Sequence, residues 1–586
     1  MRRGGMPTPS TLTTEWAQTL ARSFADCGLR EVVLSPGSRS TPLVLALARE
    51  TRLRLHDIVD ERAAGFFALA QAKCSGRPSL LLCTSGSAPA HYLPAVIEAS
   101  QAYVPLIVLS ADRPFYLQQC GASQTVDQRA LFGVHVRFFA HLGLPQPPAL
   151  RALRRQCVQA WHASHDPLPG PVHLNLELDK PFEPPLDEVG NERALPGDHA
   201  LPTRIYAAQR VASTEGVEDL AEAITAAERP LLLCGPALPE QRRLRALLPD
   251  LCERGAILCA AEATSQLRFG VESLPHFGHL EWITHLPDFE ERLRPDLIVQ
   301  LGAAPTSGRW LDLLARPSAP PRYIIAARGW PDPSGNARAI VQGDAFLILK
   351  RLLEHFTAKP KPPSRWRADV REVDGQIDRR LAAFLAALPH LSEGAAVRQL
   401  LDALAAETCL MVGNSLAVRH LDLWAPPSAK TLTLLSQRGA AGIEGFVVGL
   451  CGAATQHPGP VVGLIGDVAL RHDLSSLALL ARQTRPCLLV VLHNQGGRIF
   501  EQLPMAGHPA FQPQLHHWTT PQSDSFAALA AAFGLAYACA ESPGAYREGL
   551  REALNARAPF LLEARVPPSS AAGDFESFHR SLADLR

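Results

Sequence analysis

The sequence predicts an α/β protein made of open parallel sheets in three domains. Three observations point there. Short apolar runs of strand length alternate with amphipathic stretches, the rhythm of parallel sheets flanked by helices. Two Pro-rich polar stretches, Pro184–Arg204 and Ala358–Ser364, divide the chain. The first and last thirds also share a spacing of strand and loop.

Strands are expected at Glu31–Ser35, Ser79–Cys83, Pro105–Leu109, Pro230–Cys234, Asp296–Leu301, Thr408–Val412, Val461–Ile465 and Cys487–Leu492. Ala63–Lys73 and Leu474–Arg482 are the clearest amphipathic segments between them. The predicted domains are residues 10–183, 205–357 and 366–570. In the first, a strand runs into the loop Pro36–Arg39, and a second strand ends at Thr84-Ser85-Gly86. In the last, a strand runs into Gly413–Ser415, and a second ends at Gly466-Asp467. The two intervals are about equal, so the first and last domains read as related copies. That two unrelated α/β domains look alike at this resolution is the alternative.

Composition excludes several classes. The chain has 586 residues, 47% of them hydrophobic and 19% charged, enough for large cores. Lys+Arg and Asp+Glu are both 57, so a general nucleic-acid binder, which needs a net basic face, is a poor fit. Only six of the basic residues are Lys, and Arg suits carboxylates and phosphates. Twelve Cys are scattered without a C-x-x-C pair, which argues for reduced thiols in a cytoplasmic protein rather than a zinc or disulfide framework. Met1–Ser10 lacks the apolar stretch of a signal peptide. The longest apolar run, Phe526–Ala540, falls short of the ~20 residues of a membrane span.

The chemistry is concentrated at strand ends, where open α/β sheets bind ligands. Gly466 permits close backbone approach to a ligand. The following helix start suits an anion, and Asp467 can hold a divalent cation. Asn494 follows the next strand 27 residues later, one crossover away, so two oxygen donors come to adjacent strand ends. A helix-capping Asp and a turn Asn are the plain alternatives. In the first third, Asp60-Glu61 stands at a strand-to-helix junction, where Glu61 is either a functional acid or a helix cap.

Together these pieces resemble a thiamine-diphosphate enzyme, and further stretches narrow the resemblance. LSPGSRSTPL (Leu34–Leu43), DERAAGFFALA (Asp60–Ala70), TSGSA (Thr84–Ala88), SADRP (Ser110–Pro114), CGASQT (Cys120–Thr125) and GPVHLN (Gly170–Asn175) belong to the first third. GNSLAVR (Gly413–Arg419), QRGAAGIEG (Gln437–Gly445) and NQGGRIF (Asn494–Phe500) belong to the last. The set resembles the 2-succinyl-5-enolpyruvyl-6-hydroxy-3-cyclohexene-1-carboxylate synthases of menaquinone biosynthesis over nearly the whole chain, most weakly in the middle third.

The resemblance implies a transferase with pyrimidine-binding, central and diphosphate-binding domains. It implies thiamine diphosphate and Mg²⁺, with Mn²⁺ as an alternative. It implies 2-oxoglutarate and isochorismate as substrates, and a homodimer or tetramer with active sites at the subunit interface. Glu61 matches the acid that contacts the cofactor's aminopyrimidine. Asp467 and Asn494 match the metal's side-chain ligands, and Gly496 a backbone carbonyl ligand. Ile443 matches the apolar residue that bends the cofactor. Gly466, Ser415, Ile499 and Phe500 complete the cofactor side, the last two as an apolar wall against water. Three carboxylates enter such a site and call for several cations, preferably bidentate. Arg39 and Arg113, with Ser38 and Gln124, are implied to face isochorismate. Arg419 and Arg438, with Asn414, are implied to serve the acceptor or the oxoglutarate carboxylate. Arg39, Gln124, Arg419 and Arg438 join Glu61 as implied catalytic residues.

Departures from the common pattern stand at Val468, Ala469 and His493. Thr306–Arg309 follows a middle-domain strand and could reach the active site or an effector, a plain loop being the simpler reading. An acetolactate synthase or another 2-oxoacid decarboxylase or carboligase is the first rival. A non-catalytic assembly protein on the same scaffold is the second.

Overall fold

The computed structural model describes residues 9–184, 203–271, 274–362 and 364–585. The expected linker Pro184–Arg204 lies almost wholly outside them. The described chain forms two compact units. One holds the residues up to Ala207 together with Gln437–Gln456; the other holds Ala208–Ser436 and His457–Arg586.

The first unit is built on a six-stranded sheet of β1 (Glu31–Leu34), β2 (Arg54–Asp57), β3 (Ser79–Cys83), β4 (Leu106–Asp112), β5 (Phe138–Gly143) and β6 (Pro171–Glu177). All pairings are parallel, in the order β2-β1-β3-β4-β6-β5. Strands β1, β3 and β4 are buried throughout, and each carries an apolar run, Val32–Leu34, Leu80–Cys83 and Leu106–Leu109. The helix Glu61–Ser75 starts on Asp60, whose side chain accepts from Arg62 N and Ala63 N, and ends on left-handed Gly76. It packs against the helix Phe446–Gln456. Small residues make that approach close. A Cβ on Gly452 would stand 2.3 Å from the Phe67 carbonyl, and one on Gly445 would meet the Phe66 ring. Val447, Val448 and Leu450 of the second helix are fully buried, each contributing about 1.5–3 kcal/mol.

The second unit carries two sheets. One has β7 (Pro230–Cys234), β8 (Leu258–Ala261), β9 (Leu297–Leu301), β10 (Arg322–Ala326) and β11 (Ala339–Gln342), in the order β11-β10-β9-β7-β8. The other has β12 (Thr408–Val412), β13 (Leu432–Ser436), β14 (Val461–Gly466), β15 (Cys487–His493), β16 (Ala536–Ala540) and β17 (Phe560–Arg565). Its order is β13-β12-β14-β15-β17-β16, again all parallel. Counted from its own first strand, this is the order of the sheet in the first unit. The shared spacing of the first and last thirds therefore reflects a shared topology.

In both six-stranded sheets the strand order reverses between the first and third strands, at β1/β3 and at β12/β14. That crevice beyond the carboxyl ends is where such sheets bind ligands.

Candidate functional site

The predicted residues fall into two groups, one in each unit. In the first unit the loops after β1 and β3 meet closely: a Cβ on Gly37 would lie 2.2 Å from Thr84 Cβ. Ser38 is exposed on the first loop. Arg39 beside it is buried, stacks over the Phe182 ring at 5.0 Å and donates to the Leu178 carbonyl. Arg113, after β4, donates to Ser85 Oγ, and Gln124 donates to the Ser85 carbonyl at 3.0 Å. Gln124 holds φ at +56°, a left-handed conformation unusual for a residue with a side chain. Burial, together with the charge of Arg113, pulls Arg39 below the ordinary guanidinium range, while Asp179 and Asp112 oppose the shift. The structure thus brings Arg39, Arg113 and Gln124 around the ends of β1, β3 and β4.

Beneath them lies a polar network that sequence reasoning missed. Asp112 accepts from Arg113 N and from Asn175 Nδ2, each at 2.7 Å. Asn175 Oδ1 accepts from Ser110 Oγ and Gln128 Nε2, and Gln128 Oε1 accepts from Gly86 N. Burial pushes His173, beside Ser110, down to about 3, so the ring is neutral. The signal was present in the polar letters of GPVHLN, inside a strand that is wholly buried.

Glu61 is the first residue of its helix, and the cap oxygen belongs to Asp60. The Glu61 charge adds to the burial that raises the Cys83 thiol and the Tyr92 phenol. Arg438 and Ile443 lie on the segment that precedes the helix Phe446–Gln456, both half-buried. That segment is anchored by Glu98, which accepts from Gly439 N at 3.0 Å and Ala440 N at 2.6 Å.

In the second unit, Asn414 is buried after β12, and Ser415 holds φ +65° and ψ −127°. Such a conformation costs on the order of 1–3 kcal/mol for a residue with a Cβ, and it begins the helix Leu416–Trp424. Arg419, one turn on, donates to the Ser415 carbonyl at 2.7 Å. Burial pulls its guanidinium down, opposed by Glu281 and Glu262.

Gly466 ends β14, and Asp467 is 1% exposed. Asp467 Oδ1 accepts from Val468 N and Oδ2 from Gly496 N, both at 2.8 Å. Burial pushes Asp467 up to about 6, with the charge of nearby Glu393 adding to the rise and the two N–H bonds resisting it. Asn494 follows β15, with Nδ2 donating to Glu393 Oε1 at 2.6 Å and Oδ1 buried without a partner. Gly496 holds φ at +129°, and a Cβ there would lie 2.3 Å from the Thr519 carbonyl. Ile499 and Phe500 are half-buried on the turn Arg498–Gln502.

The Asp467 carboxylate, the orphaned amide oxygen of Asn494 and the backbone of Gly496, whose N–H lies 2.8 Å from Asp467 Oδ2, supply the donor types a hard divalent cation takes. Among the described residues no cluster of three or more His, Cys, Asp or Glu is placed to hold a metal. The donor set here needs only one carboxylate.

The departures have structural accounts. His493 is clamped by Glu563, Nδ1 to Oε1 at 2.7 Å, with Nε2 3.9 Å from Asp467 Oδ2. Against burial, bonds from His493 and Tyr537 and the charge of Arg565 hold Glu563 down to about 2. Val468 serves Asp467 through its backbone N–H, and Ala469 is buried. In the middle sheet's unit, Thr306 and Ser307 donate their N–H groups to Glu262, and Arg309 donates to the Thr284 carbonyl.

The N-terminal TPP binding domain of thiamine pyrophosphate enzymes matches residues 14–131, and the C-terminal TPP binding domain matches 422–564. Over nearly its full length the chain is similar to curated proteins named 2-succinyl-5-enolpyruvyl-6-hydroxy-3-cyclohexene-1-carboxylate synthase. That of Sorangium cellulosum (strain So ce56) is 41% identical, covering 96% of this chain and 94% of that protein. That of Roseiflexus sp. (strain RS-1) is 36% identical over 94% and 95%. That of Dechloromonas aromatica (strain RCB) is 36% identical over 95% and 99%.

Proposed function

Because the chain belongs to the 2-succinyl-5-enolpyruvyl-6-hydroxy-3-cyclohexene-1-carboxylate synthase family, we propose that its two groups of site residues divide the work of that synthesis, one handling protons and carboxylates and the other a cation and a diphosphate. The protein is a thiamine-diphosphate enzyme of menaquinone biosynthesis. The substrates in this reading are 2-oxoglutarate, which loses CO₂, and isochorismate, whose ring double bond accepts the remaining four carbons. Thiamine diphosphate, when bound, supplies the carbanion chemistry that both stages need.

The observation that carries the reading is chemical asymmetry between the carboxyl ends of two sheets of the same strand order. In the first unit stand Glu61 after β2, Arg39 after β1 and Arg113 after β4. In the other sheet stand Asp467 after β14 and the orphaned Oδ1 of Asn494 after β15. Asp467, Asn494 and the Gly496 carbonyl would hold Mg²⁺, or Mn²⁺ in its place, and Gly466 and Ser415 would border the diphosphate. Glu61 holds or yields a proton at its carboxylate toward the cofactor's aminopyrimidine. Ile443 would lie against the cofactor, and Ile499 and Phe500 would exclude water from it. Arg39 and Arg113, with Ser38 and Gln124, orient the ring substrate's carboxylates. Arg419, Arg438 and Asn414 hold the oxoglutarate side. Guanidiniums suit this task because they stay charged and grip carboxylates with two parallel bonds.

In this reading the domains are residues 10–183, 205–357 and 366–570, with one parallel sheet each. The working assembly is a homodimer, or a tetramer of two dimers, with Glu61 of one chain serving the cofactor held by Asp467 of another. Twelve free thiols suit the reducing cytoplasm. No helix among the described residues is long and apolar enough to cross a membrane.

The test supplies the protein with thiamine diphosphate, Mg²⁺, 2-oxoglutarate and isochorismate, and follows CO₂ release and isochorismate loss. Equimolar release and loss is expected. Steady turnover of 2-oxoglutarate with isochorismate untouched would overturn the substrate assignment in favour of another decarboxylase.

A further inference from the structure

Four buried side chains of the second unit form a line of directional hydrogen bonds ending at Asn494. Trp424 Nε1 donates to His420 Nδ1 at 2.9 Å. An indole N–H can only donate, so Nδ1 is the accepting nitrogen and the ring proton sits on Nε2. His420 Nε2 then donates to Glu393 Oε2. The other oxygen, Glu393 Oε1, accepts from Asn494 Nδ2 at 2.6 Å. A carboxylate that only accepts can meet the amide solely through its NH₂ end. The Asn494 oxygen is therefore turned the other way, where it is buried with no partner.

The surroundings hold the line in place. Trp424, His420, Glu393 and Asn494 are each 6% exposed or less. Glu393 is not needed to start its helix, Glu393–Ala403, because Ser392 caps it through Ala395 N. Gly394 lets the indole lie against the helix start: a Cβ there would stand 2.6 Å from Trp424 Cδ2.

We propose that Glu393 is a positioning residue, its own orientation fixed by Trp424 through His420, which makes the oxygen rather than the nitrogen of Asn494 face the divalent cation. This rests on the reading of Asp467, Asn494 and Gly496 as the cation's ligands. An amide nitrogen has no lone pair to offer a metal, so reversal of Asn494 removes a ligand without removing a residue.

Glu393→Gln makes the directionality testable. The Gln oxygen stays with His420 Nε2–H, because Trp424 prevents the imidazole from exchanging tautomers. Its NH₂ then faces the Asn494 NH₂, and the Asn494 amide must turn over. Mg²⁺ binding is read by calorimetry on the full chain with saturating thiamine diphosphate, and the fold by circular dichroism. Glu393→Gln is expected to weaken Mg²⁺ about 10- to 100-fold, the usual effect of removing an outer partner of a metal ligand. In an Asn494→Asp background the sign reverses. There Glu393 opposes a second carboxylate, and Glu393→Gln supplies the donor that the introduced carboxylate lacks, so it tightens Mg²⁺.

A purely electrostatic or structural Glu393 would weaken binding in both backgrounds. That result, or wild-type affinity in Glu393→Gln, overturns the proposal. Should Glu393→Gln fail to fold, Trp424→Phe gives an independent reading. Loss of the tautomer lock is expected to weaken Mg²⁺ about two- to tenfold, the worth of one hydrogen bond, and unchanged affinity overturns the proposal. A wild-type protein that binds thiamine diphosphate but no Mg²⁺ would overturn the ligand assignment, and this inference with it.

Discussion

Lys73 and Glu98 form a buried ion pair, Nζ to Oε1 at 2.7 Å, and the same carboxylate takes the N–H groups of Gly439 and Ala440. The pair links the core of the first unit to the backbone just after Arg438. A buried charge stripped of its partner is expensive, about 3–5 kcal/mol. Lys73→Met should lower unfolding free energy by about that amount, read as a fall in the urea midpoint. Glu98→Gln leaves the buried Lys73 ammonium without its counter-charge and gives Ala440 N–H no acceptor, so it should cost at least as much, while raising KM through a loosened Arg438 more than it lowers kcat.

Glu61→Gln tests the proton role. The Asp60 cap is untouched, so the thermal midpoint should hold within a few degrees. Exchange of the proton on the cofactor's reactive carbon, followed by NMR after quenching in D₂O, should slow by orders of magnitude. Near-normal exchange would remove Glu61 from that role.

Asp467→Ala should weaken Mg²⁺ and thiamine diphosphate together, since in the proposed reading its carboxylate holds the cation that neutralises the diphosphate. Calorimetric titration of each in the presence of the other reads both. Unchanged affinity for both would refute the ligand assignment.

Glu262 gives a pH prediction. Burial, with the Asp422 charge adding, pushes it from 4.5 up to about 8, while it accepts from Thr306 N and Ser307 N. A raised carboxyl means that the folded state binds more protons than the unfolded chain between those values. This contribution is thus fully present below about 4.5 and is lost as pH rises toward 8. Glu262→Gln keeps an oxygen for the two N–H groups without the titration. Its thermal midpoint should fall less than that of wild type between pH 5 and 8.5, and parallel curves would count against the buried carboxyl.

The parts of the fold legible in the sequence were those buried on both faces. Ser79–Cys83, Pro230–Cys234 and Thr408–Val412 read as strands with the observed ends because sheet-centre strands are buried on both faces and carry near-continuous apolar runs. Arg54–Asp57, an edge strand reading RLHD and largely open to solvent, has no such run. Pro171–Glu177 is fully buried yet was hidden by His173 and Asn175, whose polarity is spent inside the Asp112 network. The run Phe526–Ala540 reads as one segment but is a helix, Phe526–Phe533, and an edge strand, Ala536–Ala540, parted by left-handed Gly534.

The proposed site residues lie on short motifs at strand ends, which a sequence displays. Their supports do not. Glu393, His420 and Trp424 sit inside helices, and their significance lies in hydrogen-bond direction across 101 and 27 residues of chain, which no local pattern encodes. Glu98 likewise looks like an ordinary helical acid until Gly439 and Ala440 are seen on it.

The repeated strand order 2-1-3-4-6-5 has a consequence for how such a molecule can change. Two copies of one scaffold offer the same address at the same strand ends. In the proposed reading, what is delivered there, guanidinium and proton in one case and oxygen donors in the other, is written by a few side chains at strand ends and helix starts. Those letters can be rewritten with the frame left standing, so specificity can drift in one copy while the other keeps its grip on the cofactor.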